Sequence, residues 1–220
     1  MEKTITVRGM GKVKKAPDLI VIQFSVEAKD MDYSRAVDGA SEQIDRLNSA
    51  FLAAGFDEGS LKTLSFQVRA DYEGYSDEHG MYRQRFVGYV CRHPMKLEFA
   101  YDTQRLADAL AAVAASETAP ELNIMFTVKD RDAIERELLA DAAKHAREKA
   151  EVLCRASGAQ LGSLVSIDYN WSELVVRSNT TMDCAAYGAA PARAKMSFAD
   201  INPEDVEVGD SAVFVWEIFS

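Results

Sequence analysis

Residues 4–26 read TITVRGMGKVKKAPDLIVIQFSV, and the fold class turns on how this stretch is divided. Ile5 and Val7 alternate with polar residues, which is the period of a half-buried strand. After Gly9-Met10-Gly11 and Pro17-Asp18, a second alternating run places Ile20, Ile22, Phe24 and Val26 on one face. Two alternating runs joined through glycine and proline predict two strands paired as a hairpin. On this reading Gly9 and Gly11 bracket a turn or bulge, and Pro17 fixes φ ahead of the second strand.

Working outward, the period changes from two to three and four. Val37, Ala40, Ile44, Leu47, Phe51 and Ala54 form one stripe of a helix from about Asp32, which Gly55 ends. Leu64, Phe66, Val68 and Ala70 alternate as a third strand, and 71–81 reads as a polar connection. A long fourth strand covers Tyr82 to Phe99. Its Pro94 lacks a ladder donor, so an edge position or a bulge is expected there. Asp102 caps a short helix bearing Leu106, Leu110 and Val113, and Leu122 to Val128 alternate as a fifth strand.

Asp130 or Asp132 opens the longest helix, which ends at Ser157-Gly158 and buries Ile134, Leu138, Ala142, Ala146 and Leu153. Lys144 with Glu148, and Glu151 with Arg155, are at pairing distance on its exposed side. Val165, Ile167, Tyr169 and Trp171 make a sixth strand, and Ala212 to Ile218 the last, both inside the sheet system. The 172–203 segment between them has little periodicity and reads as a long functional or mobile loop. The sum is an α+β protein with mainly antiparallel sheets and three amphipathic helices.

Composition excludes several functions. Acidic residues outnumber basic ones by 35 to 25, for a net charge of −10 and a pI near 4.9, so the average surface repels phosphate backbones and anionic headgroups. The cluster Arg8, Lys12, Lys14 and Lys15 reads as a solvated strand end. Neither nucleic-acid binding nor membrane insertion is expected. The N-terminus enters a strand pattern at once, which predicts a cytoplasmic protein. Cys91, Cys154 and Cys184 are far apart, as in a reduced compartment, and the sequons at Asn170 and Asn179 carry no weight there.

No catalytic motif stands out, so an enzyme is not expected. Gly9-Met10-Gly11-Lys12 lacks both the upstream glycine and the downstream hydroxyl of a phosphate loop, since Thr6 and Val13 occupy those positions. Lys14 stands where a dinucleotide fingerprint needs its third glycine. His79, His93 and His145 have no partners at ligand spacing, so neither a metal nor another cofactor is expected. Asp141 and His145 share a helix face and read as a surface pair. Cys154 reads as a small buried hydrophobe. Tyr72, Tyr75 and Tyr82, with Arg83, Arg85 and the strand bearing Pro94, are the candidate interface.

The string Ile5-Thr6-Val7-Arg8-Gly9-Met10-Gly11, then Pro17-Asp18 and Val21 to Val26, resembles the opening of the SIMPL-domain family, the YggE-like proteins of unknown function. The resemblance continues through Leu52-Ala53-Ala54-Gly55-Phe56, the helix with Ala142, Ala146, Lys149 and Ala150, then Gly158, Leu161-Gly162, Val165-Ser166-Ile167 and Val206-Glu207-Val208. It implies two intertwined subdomains, one ferredoxin-like, here expected as 1–80 plus 204–220 and as 81–171. It further implies frequent export, large oligomers and links to stress resistance, and it supplies no catalytic residues. The expected role is a non-enzymatic, self-associating scaffold that binds a protein partner. The alternative is a small-molecule or peptide binder, or an unrecognised enzyme, with a pocket closed by the 172–203 loop.

Overall fold

A computed structural model describes residues 3–170, 174–184 and 201–219. The chain is α+β, with antiparallel pairing in both of its sheets. It divides into two units assembled from discontinuous stretches, at boundaries other than those expected: 1–18 with 126–179 and 203–220, and 19–125 with 180–202.

The second unit carries β2 (Leu19–Asp30), α1 (Tyr33–Ala53), β3 (Lys62–Thr63), β4 (Gln67–Ser76), β5 (Tyr82–Ala100), α2 (Thr103–Ala115), most of β6 (Glu121–Thr127) and β8 (Thr181–Cys184). The sheet order is β3-β5-β2-β6-β8, with β4 also on β5. Counting β3 and β4 as one interrupted strand, the βαββαβ order with the first and third strands central is the ferredoxin-like arrangement. Asp32 and Asp102 cap the helices by accepting from the amides of Arg35 at 3.1 Å and Gln104 at 2.8 Å. Ile20, Ile22, Phe24 and Val26 are buried, and the edge-to-face series Phe24–Phe51–Phe56–Phe99 fills the core.

In the first unit, β1 (Thr4–Lys15), β9 (Val206–Phe219) and β7 (Gln160–Asp168) form a three-stranded sheet in the order β1-β9-β7, with α3 (Arg131–Ala156) on one face. The first two strands therefore do not form a hairpin. β1 pairs with β9 from Thr4 to Lys15, and β2 pairs with β5. Instead of making a hairpin turn, Asp18 donates its amide to Thr127 O at 3.1 Å and accepts from Lys129 N at 2.7 Å. It ties the chain to the start of α3.

Gly9 and Gly11 make no turn or bulge either, since β1 runs through both. A Cβ on Gly9 would land on the carbonyl oxygen of Ala142, and one on Gly11 on that of Leu138. The helix backbone lies directly on the strand, which only glycine opposite small helix residues permits. Ala142, Ala146 and Ala150 are fully buried, whereas Leu153, expected inside, is 54% exposed and Cys154 takes the inner position.

Because α3 lies over an edge strand, its flank reaches the edge. Asp141 accepts from Lys12 N at 2.9 Å, His145 Nδ1 lies 2.9 Å from Met10 O, and Lys149 donates to Arg8 O at 3.4 Å. Four helix residues rise about 6 Å and two strand residues about 6.8 Å, so a side chain every fourth residue meets every second strand residue. Asp141 and His145 are not a surface pair but part of this edge cover. On the outer side Glu151 pairs with Arg147 at 3.0 Å rather than with Arg155, and Lys144 and Glu148 stand 4.0 Å apart.

β7 is an edge strand with exposed residues, not the interior strand expected; Trp171 lies outside the described residues. The 172–203 segment is not loop throughout. Leu174 and Val176 join the hydrophobic cluster of Val13, Ile134 and Leu138, and β8 pairs with β6, while 185–200 lie outside the described residues.

Gly11→Ala is expected to destabilise the protein by about 1–3 kcal/mol, because the added methyl must push a helix backbone away. Gly209→Ala, whose Cβ would meet Gly11 O at an ordinary 3.6 Å, should stay within about 0.5 kcal/mol. Urea denaturation of the two variants checks the contrast.

Candidate interaction site

β5 has 19 residues and β2 has 12, and the excess makes an arm. β2 stops at Asp30 opposite Tyr89, where Asp32 starts α1. Past that point β5 has, among the described residues, only β4 beside it, over Tyr82–Gly88, about 24 Å at ~3.4 Å per residue. The stretch 71–81 is therefore not a plain polar connection. It supplies the outer half of β4 and a turn at 77–81.

Opposed residues in an antiparallel pair share a face, so the register sorts the arm. One face carries Tyr72 opposite Phe86, Gly74 opposite Gln84 and Ser76 opposite Tyr82. Tyr72 and Phe86 meet edge to face at 5.8 Å, and Tyr82 lies over Gly74, where a Cβ would strike its ring. Edge-to-face contacts continue from Phe86 to Tyr89 at 5.2 Å and from Tyr89 to Tyr33 at 5.6 Å, taking the aromatic strip onto α1. Tyr82 is 72% exposed and Tyr72 55%.

The other face carries the charges, and they are already paired. Arg85 donates to Glu73 through Nε at 3.1 Å and Nη2 at 2.6 Å, and its guanidinium lies 6.0 Å from the Tyr75 ring. Arg83 Nε donates to Asp77 Oδ2 at 2.6 Å, and the other Asp77 oxygen accepts the amides of His79 and Met81. The Arg83 guanidinium first, and then these amides, hold the Asp77 carboxyl below its usual range. Asp77 thus shapes the turn.

A family model described as SIMPL, protein of unknown function (DUF541), matches residues 5–216. The chain belongs to the SIMPL family. No curated protein matches it in sequence. For this SIMPL protein, the match takes in both sheets, the arm and α3.

Of the candidate interface residues, Tyr72, Tyr75, Tyr82, Arg83 and Arg85 come together on the arm, and Pro94 does not. Pro94 lies in the body of the sheet, opposite Ser25, on a strand with neighbours on both sides. Its carbonyl accepts from Leu64 N at 2.9 Å, so its missing N–H faces the gap between β3 and β4, where the ladder lapses. The proline sits inside the sheet but where no donor is needed. Phe86, Tyr89 and Tyr33 belong to the strip and are not among the sequence candidates. The signal for Phe86 was the period of two linking it with Tyr82 and Gln84, whereas Tyr89 lies past the register shift and Tyr33 lies on α1, both off that period.

No group of three or more His, Cys, Asp or Glu among the described residues could hold a metal ion, and no helix among them is long and apolar enough to cross a membrane. His93 stands near the root of the arm, with Nε2 2.8 Å from Thr63 Oγ1 and its ring edge to face with Phe66 at 5.6 Å. Its Nδ1 is buried without a partner, which suits a neutral ring that donates from Nε2 to Thr63 and leaves a bare lone pair at Nδ1. Burial lowers the His93 pKa. A histidine with a folded value below its unfolded value stabilises fully above about 6.5 and loses that contribution as pH falls through the folded value. Thermal melts from pH 7 to 5 should therefore lose stability more steeply in the wild type than in His93→Phe. Equal slopes would contradict the reading.

Proposed function

We propose that this SIMPL protein is a non-enzymatic interaction module that self-associates through the β4–β5 arm. The observation that carries the proposal is the sorting of the arm, with aromatics outward on one face and charges internally neutralised on the other. A two-stranded ribbon alone in water is marginally stable, so a ribbon that keeps Tyr72, Tyr82 and Phe86 outside gains by covering them. Two copies that each carry a net charge of −10 repel one another, and the arm offers a contact whose strand charges are paired, Glu73 with Arg85 and Asp77 with Arg83, with Glu78 exposed at the turn. Tyrosine and arginine are the residues that most often dominate interface energetics.

Sedimentation at several concentrations tests this. The wild type should form a concentration-dependent assembly that strengthens as salt screens the net charge. Tyr72→Ser with Tyr82→Ser should weaken it by about tenfold or more while leaving the melting temperature nearly unchanged, because both side chains are exposed. Association unaltered in the double variant would refute a role for the arm.

A further inference from the structure

The loop that follows α1 leaves a pocket against the helix. Gly55 takes φ +82° where α1 ends, Phe56 turns inward and is buried, and Gly59, at φ +71°, bends the chain back toward β3. Phe56 donates its amide to Phe51 O at 3.0 Å and meets the Phe51 ring edge to face at 5.4 Å, which pins the start of the loop. Ser60 N donates to Asp57 O at 3.0 Å and closes the turn. Between this turn and the last two turns of α1 lies a hollow of about 380 Å³, within the size range of small-molecule sites. It belongs wholly to the second unit.

The lining has two chemical characters. Phe51, Leu52 and Leu61 give an apolar wall, while Asn48 and Ser60 add polar groups. Among the described residues lining it, the ionisable ones are Asp57 and Glu58, both exposed and neither in an ion pair. The C-terminal end of α1 adds partial negative charge, and its last turn has no basic residue to offset it. The neighbouring cations are engaged elsewhere. Arg46 donates back along the helix to Glu42 O at 3.4 Å, the Arg105 guanidinium lies 4.6 Å from the centre of the Phe56 ring, and Lys62 stands on β3, outside the lining.

We propose that this pocket binds a small aliphatic amine, its ammonium held by Asp57 and Glu58 and its carbon chain laid against Phe51, Leu52 and Leu61. An inorganic cation would leave the apolar wall uncovered, and a neutral apolar molecule would leave the carboxylates unmatched. An ammonium on a stem of about four carbons, the proportions of a lysine side chain, matches both. It is a compact charge with three donors, which suits acceptors spread around a rim, whereas a guanidinium fork suits a single carboxylate addressed in its plane. Helix and loop wall the pocket on two sides, which favours a free molecule over a side chain carried on another protein's backbone. The site shares no residue with the β4–β5 arm, so it stands or falls independently of the arm's role.

Titrating the isotope-labelled full chain with n-butylamine, read by amide chemical shifts, tests this. The shifts should saturate and be confined to residues 48–61. n-Butanol, butyrate and ammonium chloride each lack one half of the match, so each should bind at least about tenfold more weakly. Asp57→Asn with Glu58→Gln should weaken n-butylamine by a similar factor. Leu52→Ser, at a position exposed enough for the fold to survive as circular dichroism would confirm, should weaken n-butylamine and leave the response to ammonium chloride unchanged. Shifts that never saturate, shifts spread over the acidic surface, or an equal response to ammonium chloride overturn the proposal. So does a double variant that binds as well as the wild type. Preference for a lysine tripeptide capped at both ends over n-butylamine would overturn the assignment to a free molecule.

Discussion

The contact between the backbone of α3 and the two glycines of β1 governs the first unit. Because Gly9 and Gly11 have no side chains, the helix settles over an edge strand rather than over the middle of the sheet. Three consequences follow from that position. The inner helix face is small from Ala142 through Ala146 to Ala150, and larger at Ile134 and Leu138, which pack with Val13. The helix flank comes within hydrogen-bonding reach of the strand edge, where Asp141, His145 and Lys149 satisfy backbone groups that a strand would otherwise have to pair. Toward β7 the cover thins: Leu161 still packs on the cluster of Ala146 and Ala150, while Leu164 and Ile167 are exposed.

The second unit presents a comparable imbalance from another cause. There the lengths of neighbouring strands differ, and the excess of β5 over β2 becomes a ribbon whose residues are exposed on both faces among the described residues. Its charges are spent on one another through Arg83–Asp77 and Arg85–Glu73, so what it offers outward is aromatic. Each unit thus keeps a packed core and leaves one apolar margin uncovered. Converging titratable groups are not what distinguishes either margin. For a chain with net charge −10, such weakly charged margins are where association meets least repulsion.

Much of the fold was legible in the sequence. The three helices, the aspartates that cap them and the glycines that end two of them follow from local rules, as does the alternation of β1, β2, β5 and β9. Strand partnership was not legible, because a period of two marks a strand without naming its neighbour. Pro17-Asp18 has the local composition of a hairpin turn, but Asp18 bonds to Thr127 and Lys129, far along the chain. Gly9 and Gly11 looked like turn residues because close approach by a distant helix leaves no mark in neighbouring residues. On the arm, the tyrosines and arginines were visible as a group. The glycine, serine and glutamate among them broke the apolar pattern and hid that 71–76 is strand.

Hydrogen exchange of the arm amides as a function of protein concentration tests the central claim most directly. An isolated ribbon exchanges rapidly, whereas one covered by another copy is protected in proportion to the fraction assembled. The account predicts that protection over Tyr72–Ser76 and Tyr82–Val87 rises with concentration and is lost in the Tyr72→Ser, Tyr82→Ser variant. Protection that is the same at every concentration, while the protein demonstrably assembles, would contradict it.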